Sequence, residues 1–196
     1  MPKPTSERPT FYPTNRQEWR AWLADNHATS KAIWLIYYKK DSGRPTISYE
    51  EAVEEALCYG WIDSTLNKLE DGRLIQSFMP RKAKSPWSGL NKRRIESLMQ
   101  QGLMMPPGLA KIEIAKKDGS WWLYDDIETL TIPVDLEQAL TANPAANAFF
   151  AAFSASVKKG ILWWIKSAKR PETRAKRIED TVRLAALNKR AQVDRE

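Results

Sequence analysis

Cys58-Tyr59-Gly60-Trp61-Ile62-Asp63-Ser64, followed further on by Phe78-Met79-Pro80-Arg81-Lys82-Ala83-Lys84-Ser85-Pro86-Trp87-Ser88, decides the architecture of this chain. The first stretch reads as a helix that Gly60 ends and a strand that leaves it. The second reads as a returning strand, a basic loop and the cap of another helix. Trp61 to Leu66 and Leu74 to Met79 are the paired strands, with Glu70-Asp71-Gly72 as the hairpin turn between them. A glycine after the last apolar residue of a helix supplies the left-handed cap that side-chain-bearing residues avoid.

Working outward, Ser48 with Glu51 three residues on is a capping box for the helix that Gly60 ends. Tyr49, Val53, Ala56 and Leu57 form its predicted inner face. Ile33 to Tyr38 is a continuous apolar run, expected as a strand, and Asp41-Ser42-Gly43 is a turn. Thr14 with Gln17 is a further capping box, and its helix carries Trp19, Trp22 and Leu23 on one face. Ser88 caps a helix with Leu98 and Met99 inside, stopped by Gly102. Pro106-Pro107-Gly108 opens a helix that Gly119 ends. Trp121 to Thr131 reads as irregular. Pro133 and Pro144 stand where helices start, and Ser154 to about Leu187 is helical with a break at Arg170-Pro171.

Strands and helices mix in the first half, whereas the second half is helical. The expected fold class is α+β: a small antiparallel sheet with flanking helices over residues 1–125, then an all-helical basic subdomain over 126–196 packed on it.

Composition bounds the chemistry. The chain has 196 residues, 42% of them hydrophobic, enough for a sizeable core. No apolar run approaches the ~18 residues that span a bilayer. Met1 to Pro9 lacks the apolar centre of a signal peptide, and one cysteine cannot form an internal disulfide. A cytoplasmic location is expected. With one histidine and one cysteine, a Cys/His zinc site cannot be assembled. A Ser-His-Asp or Cys-His machine would have to use His27, which reads instead as a helix end. Cys58, between Leu57 and Tyr59, reads as a small buried hydrophobe. Glu51, Glu54 and Glu55 share a helix face that could hold a hard cation weakly, but acidic residues also complement a helix N-terminus. No metal, cofactor or catalytic residue is expected. Most of the nine tryptophans are core.

The net charge of +7 is uneven. Residues 154–196 hold twelve basic and five acidic residues, and residues 1–153 hold nineteen of each. Lys169, Arg170, Arg174 and Arg177 form the densest basic surface, with the three arginines at helical spacing. Such a stripe could meet phosphates or an anionic partner surface, or simply be a solvated helix face. Nucleic acid is a possible but not a favoured partner, because no recognition signature accompanies the charge.

The best candidate for a ligand site is the loop from Arg81 to Trp87. Arg81, Lys82 and Lys84 supply charge, and Ser85 supplies a donor. Trp87 could cover a flat group, and Ser88 and Asn91 mark a helix N-terminus whose free amides attract anions. Trp61, Asp63 and Ser64 lie on the neighbouring strand, from which Asp63 could orient Arg81 in a bidentate pair. The expected ligand is an anionic small molecule or anionic group. No feature specifies an oligomeric state.

The same residues carry a family resemblance. Glu18-Trp19-Arg20-Ala21-Trp22-Leu23, Ile33-Trp34-Leu35, Tyr37-Tyr38-Lys39-Lys40, Tyr49-Glu50-Glu51-Ala52-Val53 and Glu55 to Ser64 resemble the YdeI/OmpD-associated, or bacteriocin-protection, family. So do Pro80-Arg81-Lys82, Trp87-Ser88, Asn91-Lys92 and Ala168 to Ile178. The resemblance spans nearly the whole chain. It implies a two-layer, YjbR/CyaY-like fold, and a role in stress or antimicrobial-peptide tolerance without known catalytic residues. Three readings follow: a non-enzymatic tolerance factor with an anionic ligand or partner, a nucleic-acid-binding protein, and an enzyme acting on a small anionic substrate through Asp63 and Arg81.

Overall fold

The structure, a computed structural model, describes residues 8–38, 42–69 and 71–191. Asp41 of one expected turn, Glu70 of the hairpin turn, and Lys39-Lys40 lie outside the described residues. The chain divides into two compact units, 1–123 and 124–196.

The first unit contains β1 (Thr10–Phe11), α1 (Arg16–Asn26), β2 (Ile33–Tyr37), α2 (Tyr49–Cys58), β3 (Trp61–Lys68), β4 (Leu74–Pro80), α3 (Gly89–Gln100) and α4 (Pro106–Asp118). The sheet order is β1-β2-β4-β3. β2 and β3 are both antiparallel to β4, but β1 runs parallel to β2, so the sheet is mixed rather than purely antiparallel. The two-residue β1 has no periodicity of its own to announce it.

Register places Ile33, Leu35 and Tyr37 on one sheet face with Leu74, Gln76 and Phe78. Trp19 of α1 meets Phe78 edge to face at 5.5 Å and donates its indole N–H to Ala52 O of α2 at 3.0 Å. This face is therefore the one the helices cover. A core of Trp19, Leu23, Leu35, Val53, Leu57, Trp61 and Phe78 lies between the layers. In β3 the pairing passes from Asp63↔Phe78 to Leu66↔Gln76, so β3 spends three steps where β4 spends two. This bulge leaves Ser64 and Thr65 both exposed.

The capping box at Ser48 forms as its spacing predicts, with Ser48 Oγ accepting from Glu51 N while Glu51 Oε2 accepts from Ser48 N. The first helix is capped one residue later than expected. Asn15 Oδ1 accepts from Glu18 N, and Glu18 reaches back to Thr14. Tyr49 and Met99, read as inward, are more than a third exposed. Tyr49 turns instead toward Asp63, and Ile95 with Leu98 form the inner side of α3.

α2 and α4 approach closely. Met105 N donates to Cys58 O at 3.2 Å. Gly108, in the first turn of α4, sits against that same carbonyl. A Cβ there would lie 2.2 Å from Cys58 O. α1 is tied to α2 by ions. Glu55 is fully buried, and Arg16 Nε and Arg20 Nη1 lie 2.5 and 2.7 Å from its two oxygens. Buried carboxylates persist only when paired in this way.

The second unit contains α5 (Asp125–Glu128), α6 (Val134–Thr141), α7 (Pro144–Ala152), α8 (Ala155–Lys166) and α9 (Pro171–Ala185). α5 lies in the segment read as irregular, and at four residues it has too little length for a periodic signal. Leu136, Leu140, Phe150, Ile161 and Ile165 form the core. No helix of the described residues is long and apolar enough to cross a membrane.

Candidate anion site

The residues of the basic loop separate by burial. Arg81 is only 4% exposed, and its guanidinium lies 3.5 Å from the centre of the Trp87 ring. Its Nη2 donates to Pro86 O at 2.7 Å. Trp87 is in the core beside Trp121. It floors the arginine and, at 2% exposure, is not open to cover a ligand. No carboxylate among the described residues forms an ion pair with Arg81. Desolvation pushes its pKa down to about 10, against a weaker opposing pull from the Asp63 charge.

The expected Asp63–Arg81 pair is not formed. Asp63 Oδ2 accepts from Tyr49 Oη at 3.0 Å and from Gln76 Nε2 at 2.9 Å. Ser64 is exposed on the bulge, and Trp61 is core, donating its indole N–H to His27 O. Asp63, Ser64 and Arg81 thus do not share one concave site.

What does gather around Arg81 is a small cavity of about 30 Å³, bordered by Lys82, Lys84, Lys111, Asp118 and Ser120. One buried polar atom on its border, Arg81 Nε, has no partner. Ser120 is 4% exposed. Space of that size holds one water or one atom of similar radius. Lys84 takes a left-handed backbone, φ 61°, which turns its N–H toward Asp118 Oδ2 at 3.0 Å. Asp118 also accepts from Ser120 N, and hydrogen bonding from the Ser120 side chain, then from the Ser120 and Lys84 backbone, holds its carboxyl below the usual range. Four cations therefore face one carboxylate that backbone donors already occupy.

Ser85, Ser88 and Asn91 are not part of this cavity. Ser85 Oγ donates to Lys82 O, Ser88 Oγ accepts from Asn91 N, and Asn91 Oδ1 accepts from Arg94. Sequence reasoning missed Lys111, Asp118 and Ser120, which α4 and its end bring to the loop. His27 caps the end of α1 as read, its Nδ1 within 2.9 Å of Leu23 O. Among the described residues no cluster of three metal-ligating side chains occurs.

The C-terminal stripe is partly committed inside its own unit. Arg174 donates to both oxygens of Asp135, at 2.7 and 2.9 Å. Arg177 donates to Trp164 O and Ser167 Oγ and lies over the Trp164 ring. Lys159 and Lys166 pair with Glu128 and Asp126. Counted over 124–196 there are twelve basic residues and ten acidic ones, a net of +2. Lys169 and Arg170 remain exposed.

Comparison with known proteins divides the chain in a similar place. Residues 129–188 match the family model described as Bacteriocin-protection, YdeI or OmpD-Associated. That match holds Ala168 to Ile178 of the resembling stretches, whereas the N-terminal stretches fall under a different family model. No curated protein and no solved structure matches the chain. The match over residues 11–111 takes in a little over half of the sequence, and the chain belongs to the family described as Domain of unknown function (DUF8412).

Proposed function

We propose that this chain is a YdeI-like, non-enzymatic factor in stress or antimicrobial-peptide tolerance, whose first unit binds an anion at Arg81. The carrying observation is the buried guanidinium without a carboxylate, its Nε–H unpartnered beside a cavity that Ser120 Oγ also borders. An isolated buried charge is costly, and a ligand atom accepting from Nε would offset that cost. The cavity admits one halide or one oxygen of a larger oxyanion. The lysine rim would meet the remaining oxygens.

Two observations favour this reading over catalysis and over nucleic acid. Asp63 and Arg81, the only acid and cation read as a reacting pair, are not paired: Tyr49 and Gln76 hold Asp63, which does not border the Arg81 cavity. Arg174 and Arg177, half of the basic stripe, are occupied by Asp135 and by the end of α8.

Thermal unfolding in sodium phosphate and in sodium chloride, each against perchlorate at matched ionic strength, tests the proposal. A ligand present at 100 times its Kd adds about 2.7 kcal/mol to stability. Phosphate, chloride or both should raise Tm, and Arg81→Met should abolish the rise. The exposed double variant Lys82→Ala/Lys84→Ala, which leaves the core intact, should reduce the phosphate rise only. Equal Tm in all three salts, or an undiminished rise in Arg81→Met, overturns it.

A further inference from the structure

A second cleft, of about 350 Å³, opens where β2 and β4 meet the first turn of α2. Its walls are Tyr37, Tyr38, Ile47, Tyr49, Leu74 and Gln76. Such a mix of aromatic and aliphatic walls with few polar groups is the usual make-up of a small-molecule site. The two polar groups most deeply placed in it lack partners. Tyr37 is 6% exposed and Gln76 3% exposed, yet Tyr37 Oη and Gln76 Oε1 make no hydrogen bond.

Their roles are fixed by what surrounds them. Gln76 Nε2 donates to Asp63 Oδ2, which leaves Oε1 as an acceptor without a partner. Burial, then the neighbouring Asp63 charge, pushes the Tyr37 phenol up, so it stays protonated and keeps a hydrogen to donate. Pairing sets Leu35 opposite Gln76 and Tyr37 opposite Leu74, which makes Tyr37 and Gln76 diagonal neighbours on one face. Diagonal neighbours lie within reach of a single small molecule.

Charges of both signs stand nearby. Glu50 and Glu51 line the cleft, Asp63 is bonded to Gln76, and Asp71 pairs with Arg73. Arg44 and Arg73 lie over the Tyr38 ring at 5.0 and 5.9 Å, and Arg94 over Tyr49 at 5.9 Å. Neither an anion nor a cation is favoured, and the aromatic walls suit a flat molecule.

We infer that this cleft binds an uncharged planar amide, a molecule presenting N–H beside C=O, with its N–H to Gln76 Oε1 and its C=O to Tyr37 Oη. A cyclic imide such as a pyrimidine base and an aromatic carboxamide share that edge. The site is independent of the cavity at Arg81.

The test is titration of the ¹⁵N-labelled full chain with uracil, with nicotinamide and, as the charged isostere, with benzoate. At least one amide should shift the Gln76 side-chain resonances and the backbone of Tyr49, and benzoate should not. Uracil alone would place the source among nucleobases, and nicotinamide alone among carboxamides. Tyr37→Phe should weaken the amide about tenfold without lowering Tm, since its hydroxyl has no partner to lose. Leu66→Trp, at an exposed residue of the cleft wall, should block binding in a folded protein. No shift with either amide, an equal shift with benzoate, or unchanged binding in Tyr37→Phe overturns the inference. A fall in Tm for Tyr37→Phe also overturns it, because the hydroxyl would then be serving a structural water.

Discussion

Gly108→Ala sets helix propensity against packing. Alanine in a helix interior gains ~1 kcal/mol over glycine. At this position the new Cβ would lie 2.2 Å from Cys58 O, with Cys58 C and Leu57 O each at 2.7 Å. Ordinary contact begins near 3.4 Å. α4 would have to retreat from the end of α2 by about 1 Å, and the obstacles are backbone atoms that cannot rotate aside. The retreat costs about 1–3 kcal/mol in strain. It also stretches the Met105 N to Cys58 O bond, worth about 1 kcal/mol, and loosens Ile112 and Ala115 against the core. Set against the propensity gain, the net loss is about 2 kcal/mol, or about 8 °C in Tm for a unit of this size. Urea unfolding reports it, with Cys58 thiol exposure as the probe confined to the first unit. Ala110→Gly, on the exposed side of the same helix, supplies the propensity scale and should lose ~1 kcal/mol. A Gly108→Ala protein as stable as the parent refutes the argument.

Glu55→Gln should cost about 2–3 kcal/mol, because two arginines lose their common carboxylate. The loss stays below that of a fully buried pair, since Arg16 and Arg20 are about a quarter exposed. Equilibrium denaturation that shows under ~1 kcal/mol removes this network as an anchor of α1. Burial pushes the Cys58 thiol up to about 11 from an ordinary value of 9.0. The native state then favours the protonated thiol, so its contribution is complete below about pH 9 and is lost as pH rises through 11. Native protein at pH 8 should resist a disulfide-exchange reagent until it unfolds, and rapid labelling in the absence of denaturant contradicts this.

Much of the fold was legible because its signals are local. The Ser48 capping box, the stop at Gly60 and the paired runs flanking Asp71-Gly72 each involve residues a few positions apart. The site was less legible because it is assembled from remote segments. Ser120 and Lys111 reach Arg81 only through the seating of α4 on α2, which no short-range pattern encodes. Asp63 and Arg81 lie close in the hairpin sequence, yet Tyr49 and Gln76 hold the carboxylate. Gln76 could have been found. It alternates in step with Leu74 and Phe78, which makes it a polar residue on the covered face. The charge on the last helices stands at +7 when counted from residue 154. Asp126, Glu128 and Asp135, which pair with Lys166, Lys159 and Arg174, stand just before that point.

The bulge at Ser64-Thr65 bears on how the length of this chain can vary. Elsewhere in β3, removing one residue would turn every later side chain to the opposite face. At the bulge, removing one restores a regular ladder, with Asp63 still opposite Phe78 and Leu66 still opposite Gln76. Within that strand it is the point where a deletion spares the cleft. Relatives that differ in length through this hairpin are expected to differ there, and an aligned gap placed two residues to either side would misassign the residues that border the cleft.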